Sequence, residues 1–335
     1  MQLNTAALLG ACALLPLSPA VQAESAPERG LAAIKVLDYL DSQPGASRVR
    51  VKAAAASVMN PINSEWSFAG STTVDAISGA SPYLQTTALT PLRDERRAID
   101  AQVTRYLPWG TVSVGGNFST EQDYLSRGAT LSVAHSDESR NTTWTFGLAH
   151  NADVINPSTR VVDHERKRVT GLMVGLTQVL TPRDIVQVNV SRNAGRGYYS
   201  DPYKFADDRP RQRDADVLMV RWNHHSESMG TTWRWSWRHF RDNWAVRSHT
   251  VGLEASLYPF APLSAGPYSE DQRLSAFGAL TMGLKVARRL DEDWTADLKF
   301  EGYEQRGAWS RTGTGTEGLL PFRARSIQVG LARAF

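Results

Sequence analysis

The stretch Thr232-Trp233-Arg234-Trp235-Ser236-Trp237-Arg238-His239-Phe240-Arg241 decides the fold. Trp233, Trp235 and Trp237 recur at two-residue steps, with Thr232, Arg234, Ser236 and Arg238 between and beside them. Successive side chains of an extended strand point to opposite faces, so this segment has an aromatic face and a polar, cationic one. The core of a soluble sandwich could cover a Trp face, but three Trp so close together suit the aromatic girdle at a lipid–water boundary better. A membrane barrel repeats this alternation in every strand, because one face meets lipid and the other a polar interior.

The alternation recurs along the chain. Val112, Val114 and Phe118 oppose Thr111, Ser113 and Asn117, and Trp144, Phe146 and Leu148 oppose Thr143, Thr145 and Gly147. Val186, Val188 and Val190 oppose Gln187, Asn189 and Ser191. Val251, Leu253 and Leu257 oppose Gly252, Glu254 and Ser256, while Ala296, Leu298 and Phe300 oppose Asp297, Lys299 and Glu301. Fifteen such segments run from Ile34 to Phe335. Single-chain bacterial barrels have an even number of strands. A weak strand near Phe260 to Tyr268 would make sixteen, and fourteen is the fallback. The fold expected is therefore all-β, a transmembrane antiparallel up-and-down barrel.

Composition agrees with export. The chain has 335 residues, a formal charge of +3, 21% charged residues and one cysteine, Cys12. Collagen-like, disulfide-framework and highly charged disordered compositions are excluded. The apolar run Ala6 to Leu17, followed by Val21-Gln22-Ala23, reads as a signal peptide cleaved after Ala23. The run is too short to cross a ~30 Å hydrocarbon core as a helix. Leu9-Gly10-Ala11-Cys12 offers the alternative of a lipoprotein box. The division expected is a signal peptide over 1–23 and one barrel domain over 24–335. Without Cys12 no thiol remains, which removes disulfides, Cys-ligated zinc and cysteine nucleophiles.

Two resemblances bear on identity. The ending Ile327-Gln328-Val329-Gly330-Leu331-Ala332-Arg333-Ala334-Phe335 resembles the terminal signature of bacterial outer-membrane proteins. It implies that the barrel-assembly machinery reads Phe335. A narrower resemblance rests on Val74-Asp75-Ala76-Ile77-Ser78-Gly79-Ala80-Ser81-Pro82, Ser200-Asp201-Pro202-Tyr203-Lys204, Asp242-Asn243-Trp244 with His249, and Asp271-Gln272-Arg273. These segments resemble the ordered motifs of a family of uncharacterised proteobacterial outer-membrane barrels. Between Pro259 and Asp271 the chain is shorter than that pattern.

Candidate sites follow from the parity of the strands. If Trp faces lipid, then Arg221, Arg234, Arg238, Glu254, Asp297, Lys299 and Glu301 face the lumen, as solute-attracting groups or as salt bridges that fill it. Asp216 is grouped with these interior acids. The loop Gly195 to Arg213 carries Asp201, Lys204, Asp207, Asp208, Arg209, Arg211 and Arg213, charges suited to a constriction if it folds inward. His224, His225, His239 and His249 lie on adjacent strands, but neighbours such as His224 and His225 point apart, so no metal site is expected. Ser248 and His249 point apart for the same reason, and no G-x-S-x-G pattern accompanies Ser78 or Ser81.

The function expected is an outer-membrane barrel acting as a channel or partly occluded pore for small hydrophilic solutes. A structural or assembly-partner barrel and an integral hydrolase are the alternatives, with no convincing catalytic constellation for the last. No cofactor and no nucleic-acid partner are expected. The partners expected are outer-membrane lipid, the barrel-assembly machinery and periplasmic chaperones during biogenesis, and an envelope protein of unknown identity.

Overall fold

The computed structural model describes residues 25–44, 46–81, 90–202, 207–257, 263–265, 278–306, 309 and 321–335. The expected signal peptide, with Cys12, and the positions Pro82, Tyr203 and Lys204 lie outside the described residues.

The strands are β1 (Leu31–Gln43), β2 (Ala46–Asn63), β3 (Trp66–Ser81), β4 (Thr90–Leu107), β5 (Gly110–Thr120), β6 (Tyr124–Ser136), β7 (Thr142–Ile155) and β8 (Glu165–Thr181). They continue as β9 (Asp184–Gly197), β10 (Gln212–Ser226), β11 (Thr231–Asp242), β12 (Arg247–Leu257), β13 (Leu263–Ala265), β14 (Gly278–Arg289), β15 (Trp294–Arg306) and β16 (Phe322–Ala334). Each pairs antiparallel with its neighbours in sequence, and β1 closes on β16 from Leu31↔Ala334 to Ser42↔Arg323. Closure matters because an open edge in hydrocarbon would leave N–H and C=O groups unpaired, at several kcal/mol each.

The weak strand expected near 260–268 is β13, three residues long, bridging Leu257 of β12 and Val286 of β14 through Leu263. It brings the strands among the described residues to sixteen, an even number. Apart from the short β13, even the 11-residue β5 is long enough to cross. At ~3.3 Å per residue and a tilt of about 40° it rises roughly 28 Å, against an apolar band of about 25 Å.

Parity follows the reading of the Trp stretch. Trp235 pairs with Trp222 and Leu253, and Trp237 with Val220 and Val251, all on the outer face. Phe146, Val174, Val190, Leu298 and Ile327 are likewise outward and exposed. An apolar surface that encircles a protein is tolerable only where the solvent is itself apolar. The same register corrects one assignment. Asp216 lies two residues before Leu218 on the outer face, not in the lumen, and holds Arg192 and Arg241 there.

The two ends differ. Both ends of the sheet, Leu31 and Ala334, and the tight connections 64–65, 108–109, 137–141, 182–183, 227–230 and 290–293 lie at one end, called here the turn end. The connections 121–123, 156–164, 198–211 and 243–246 lie at the other, the loop end. Gly110 closes the turn after Pro108-Trp109 at φ +148°, and a Cβ there would lie 1.9 Å from the Ala134 carbonyl oxygen, so only glycine fits.

Candidate functional site

The lumen has two levels. In its middle the inward side chains are small and polar along β4 to β9, including Gln102, Thr104, Ser113, Thr130, Asn151 and Asn189. Gln102 and Thr130 are exposed, so water reaches this level. Glycines on this wall make room for amides: a Cβ at Gly128 would meet the Asn151 and Asn117 oxygens, and one at Gly175 the Asn189 oxygen.

The opposite wall is charged, and with the exception of Asp216 the register turns inward every lumen candidate read from the sequence. Arg234 bonds Glu254 at 2.8 Å, Lys299 lies 2.9 Å from Glu301, and Lys285 lies 3.8 Å from Asp297. Arg221 donates to the side-chain Oε1 of Gln187, at 3.4 Å. Arg238 lies over the Phe240 ring, 5.6 Å from its centroid. Neither Arg221 nor Arg238 has a carboxylate partner among the described residues, so this wall carries surplus positive charge.

Toward the loop end the inward side chains become fully buried and form a collar around the barrel. Val49, Ala98, Ile155, Phe240, Phe322 and Gln305 belong to it, together with ion pairs. Asp75 and Arg96 face one another across β3 and β4, with side chains only 1% and 3% exposed, and Arg96 Nε donates to Asp75 Oδ2 at 2.7 Å. On β6 to β8 Asp153 accepts from the Tyr124 hydroxyl and from Ser126 Oγ, while Lys167 Nζ donates to Tyr124 at 2.8 Å and lies 3.2 Å from Asp153. On β10 and β11 Arg213 Nε donates to Asp242 at 2.9 Å.

Aromatic rings join these pairs. The Arg213 guanidinium sits 4.6 Å from the Trp244 ring, Tyr199 packs edge-on against Trp244 at 5.4 Å, and Lys167 Nζ lies 5.7 Å from Tyr199. Desolvation in this packing raises the Tyr199 hydroxyl above its ordinary pKa. Buried charges in such a level must stay paired, since a lone one would carry its desolvation cost uncompensated.

Beside the Asp75–Arg96 pair, Asp94, Glu121 and Asp123 bring one carboxylate oxygen each within 4.8 Å of the others. Burial, then the charge of Asp94, pushes the Glu121 carboxyl up to about 7, although Arg96 opposes the shift. Asp94 Oδ1 accepts the N–H groups of Glu95 and Gln122, so it anchors the connection from β5 to β6.

The proposed constriction loop is tied to itself. The Asp201 N–H donates to Asp207 at 2.6 Å, Arg209 donates to Asp207 and Ser200, and Arg211 bonds Glu165. Asp201 and Pro202 are buried, whereas Asp208 is exposed. Of the loop's charges, Arg213 belongs to β10 and reaches the collar with Asp242. Among the motif positions, Asp75, Asp242 and Trp244 meet the collar, Ser78, Gly79 and Ser81 lie on β3, and His249 faces outward opposite His239. Phe335 exchanges backbone hydrogen bonds with Gly30 at 2.7 and 3.0 Å and lays its ring against that glycine, pinning the β1–β16 seam. Sequence reading missed Arg96, Tyr124, Asp153 and Lys167; the signal available was an inward-facing charge or phenol near a strand's loop end.

A family model described as "Protein of unknown function (DUF3570)" matches residues 85–261 and 257–324. Its two blocks meet just before the three-residue β13. Among curated proteins none matches. Solved structures with a similar fold include CdiB from Acinetobacter baumannii, at 11% identity and a TM-score of 0.51, covering 89% of this chain and 60% of that one. The siderophore receptor PirA from Pseudomonas aeruginosa is 14% identical at a TM-score of 0.45, with 91% of this chain and 62% of that one covered. The chain thus spans less than two thirds of the length of either. What the likeness to CdiB carries is the fold alone, that of an outer-membrane β-barrel.

Proposed function

This chain belongs to the family of proteins of unknown function DUF3570, and for it we propose a partly occluded outer-membrane pore for small hydrophilic solutes, closed at its loop end. One observation carries the reading: inward side chains are water-accessible in mid-barrel, as at Gln102 and Thr130, and dry at the collar, as at Asp75, Arg96 and Asp153. A gated pore needs both a wet path and a removable barrier. The outward apolar belt supports placement in the outer membrane of a Gram-negative bacterium, in contact with lipid. The alternating face of β16, with Phe335 laid against Gly30 at the seam, supports delivery by periplasmic chaperones and the barrel-assembly machinery. Arg221 and Arg238, lacking carboxylate partners among the described residues, favour anionic over cationic solutes.

Planar-bilayer recording of refolded protein tests this. Wild type is expected to conduct rarely and in small steps. Tyr199→Ala with Arg213→Ala, which removes two side chains that meet at Trp244, is expected to raise conductance and to pass chloride in preference to potassium. Silence of both proteins at every voltage contradicts the pore and leaves the second reading, a structural barrel, which the paired charges of the collar favour. A hydrolase gains no support from Ser248 and His249, since Ser248 pairs with inward Phe240 and His249 with outward His239.

A further inference from the structure

The outer surface of β8 to β12 changes character in a fixed order along the barrel axis. Val188, Val220, Trp237 and Val251 share one lateral row, and Val190, Leu218, His239 and His249 share the next toward the loop end. Trp237 stacks on His239 and His249, whose rings are 4.5 Å apart, so the row above the hydrocarbon is aromatic and polar-edged. The following row is Arg192, Asp216, Arg241 and Arg247. Asp216 is the only carboxylate in that row, 3.3 Å from Arg192 and 3.1 Å from Arg241. Arg192 and Arg241 nevertheless remain more than half exposed, and Arg247 is exposed with no ion pair among the described residues. On β8 the position in this row is Leu172, and the outward, exposed Arg168 lies two outward positions further toward the loop end, opposite Arg196.

The turn end of β9 to β12 carries the reverse. Its outward strand positions hold Asp184, bonded to Trp222 and His224, and Trp233, with no Arg or Lys at an outward position of these strands among the described residues, and the exposed Arg183 of the adjoining turn is paired with Glu227. A solvated rim has no reason to sort its charge by end; a membrane whose two leaflets differ in charge does. Guanidinium groups at the level where the apolar belt stops are placed to take phosphate oxygens in bidentate geometry.

We propose that the outward Arg192, Arg241 and Arg247 row binds a phosphate-bearing glycolipid of the outer leaflet at its headgroup, with the acyl chains lying on the Trp235–Trp237 face below. This rests on the outer-membrane placement above, with the loop end external. The His239–His249–Trp237 stack sits between headgroup and chains, where amphipathic rings are stable.

The test uses the full refolded barrel in detergent micelles, titrated with bisphosphorylated lipid A, with the same lipid dephosphorylated, and with inorganic phosphate. The wild type should bind lipid A at least about tenfold more tightly than the dephosphorylated form, and inorganic phosphate not detectably in the same range. Arg192→Gln, Arg241→Gln and Arg247→Gln together should weaken lipid A binding about a hundredfold. Arg105→Gln with Arg333→Gln, outward at the turn end, should leave it unchanged. Equal binding of both lipids by the wild type overturns the proposal even should the triple variant fail to fold, and so does equal loss in the turn-end variant. Gel mobility before and after heating separates the two readings. A wild type that shows no heat-dependent shift refutes the barrel itself, whereas a shifting wild type that ignores phosphate refutes only the lipid site.

Discussion

Removing Arg96 should cost more than removing Asp75, although each is the other's hydrogen-bonding partner. Both side chains are almost wholly buried, and breaking a buried ion pair by deleting one member typically costs about 3–5 kcal/mol because the other is left uncompensated. The surroundings split that range. After Asp75→Asn, Arg96 still faces Glu121 and Asp94, the acids among which it lies, so the loss should fall near about 3 kcal/mol. After Arg96→Met, Asp75, Asp94 and Glu121 crowd together with no cation between them, and the loss should approach about 5 kcal/mol. The double variant gives the sharper sign. Asp75→Asn destabilises the wild type but should stabilise the Arg96→Met protein, since it deletes one of the stranded carboxylates. Urea unfolding in lipid vesicles, followed by tryptophan fluorescence, measures all four corners of the cycle. A loss below about 1 kcal/mol for Arg96→Met, or additive losses in the double variant, would refute the buried pair as drawn.

Glu121 gives a pH dependence of known sign. Its carboxyl titrates at about 7 in the folded chain, above the ordinary 4.5, so the folded state holds the proton more tightly and stability falls as pH rises from about 4.5 to 7. Glu121→Gln should flatten that slope and gain about 1 to 3 kcal/mol at pH 8, with no gain at pH 4; urea midpoints at the two pH values check it. Ala101 and Gln102 are neighbours on opposite faces of β4. Ala101→Arg, near mid-belt, should cost about 2–4 kcal/mol and Gln102→Arg close to none, in the same unfolding assay. Gly110→Ala should lower the yield of heat-modifiable barrel, because the new methyl collides with the Ala134 carbonyl; a normal yield would argue against that turn.

The wall of the barrel was legible because parity is local. Trp233, Trp235 and Trp237 fix which way Arg234 and Arg238 point, and Trp222 does the same for Arg221, with no knowledge of neighbours. Asp216 was legible too by counting in twos from Trp222, and its grouping with the lumen acids neglected that step. The collar was not legible. Asp75 meets Arg96 across the connection between β3 and β4, and Lys167 meets Asp153 across that between β7 and β8; each pairing depends on register, which a loop of unspecified geometry does not transmit. Tyr199 and Trp244 meet only because two loops fold toward each other, and periodicity carries no information about loops. The length of strand near 260–268 was equally hidden, since three residues are too few to show a period.

Cysteine scanning along β4 tests the central claim most directly. In a background with Cys12, the sequence's one cysteine, replaced by Ser, single cysteines at Ala98, Ile99, Asp100, Ala101, Gln102 and Val103 are labelled with a fluorophore, and the protein is reconstituted with a spin-labelled lipid. Labels at 99, 101 and 103 should be quenched by the lipid and those at 98, 100 and 102 should not. Quenching without alternation, or alternation in the opposite phase, would contradict a closed sheet with its apolar face in the bilayer.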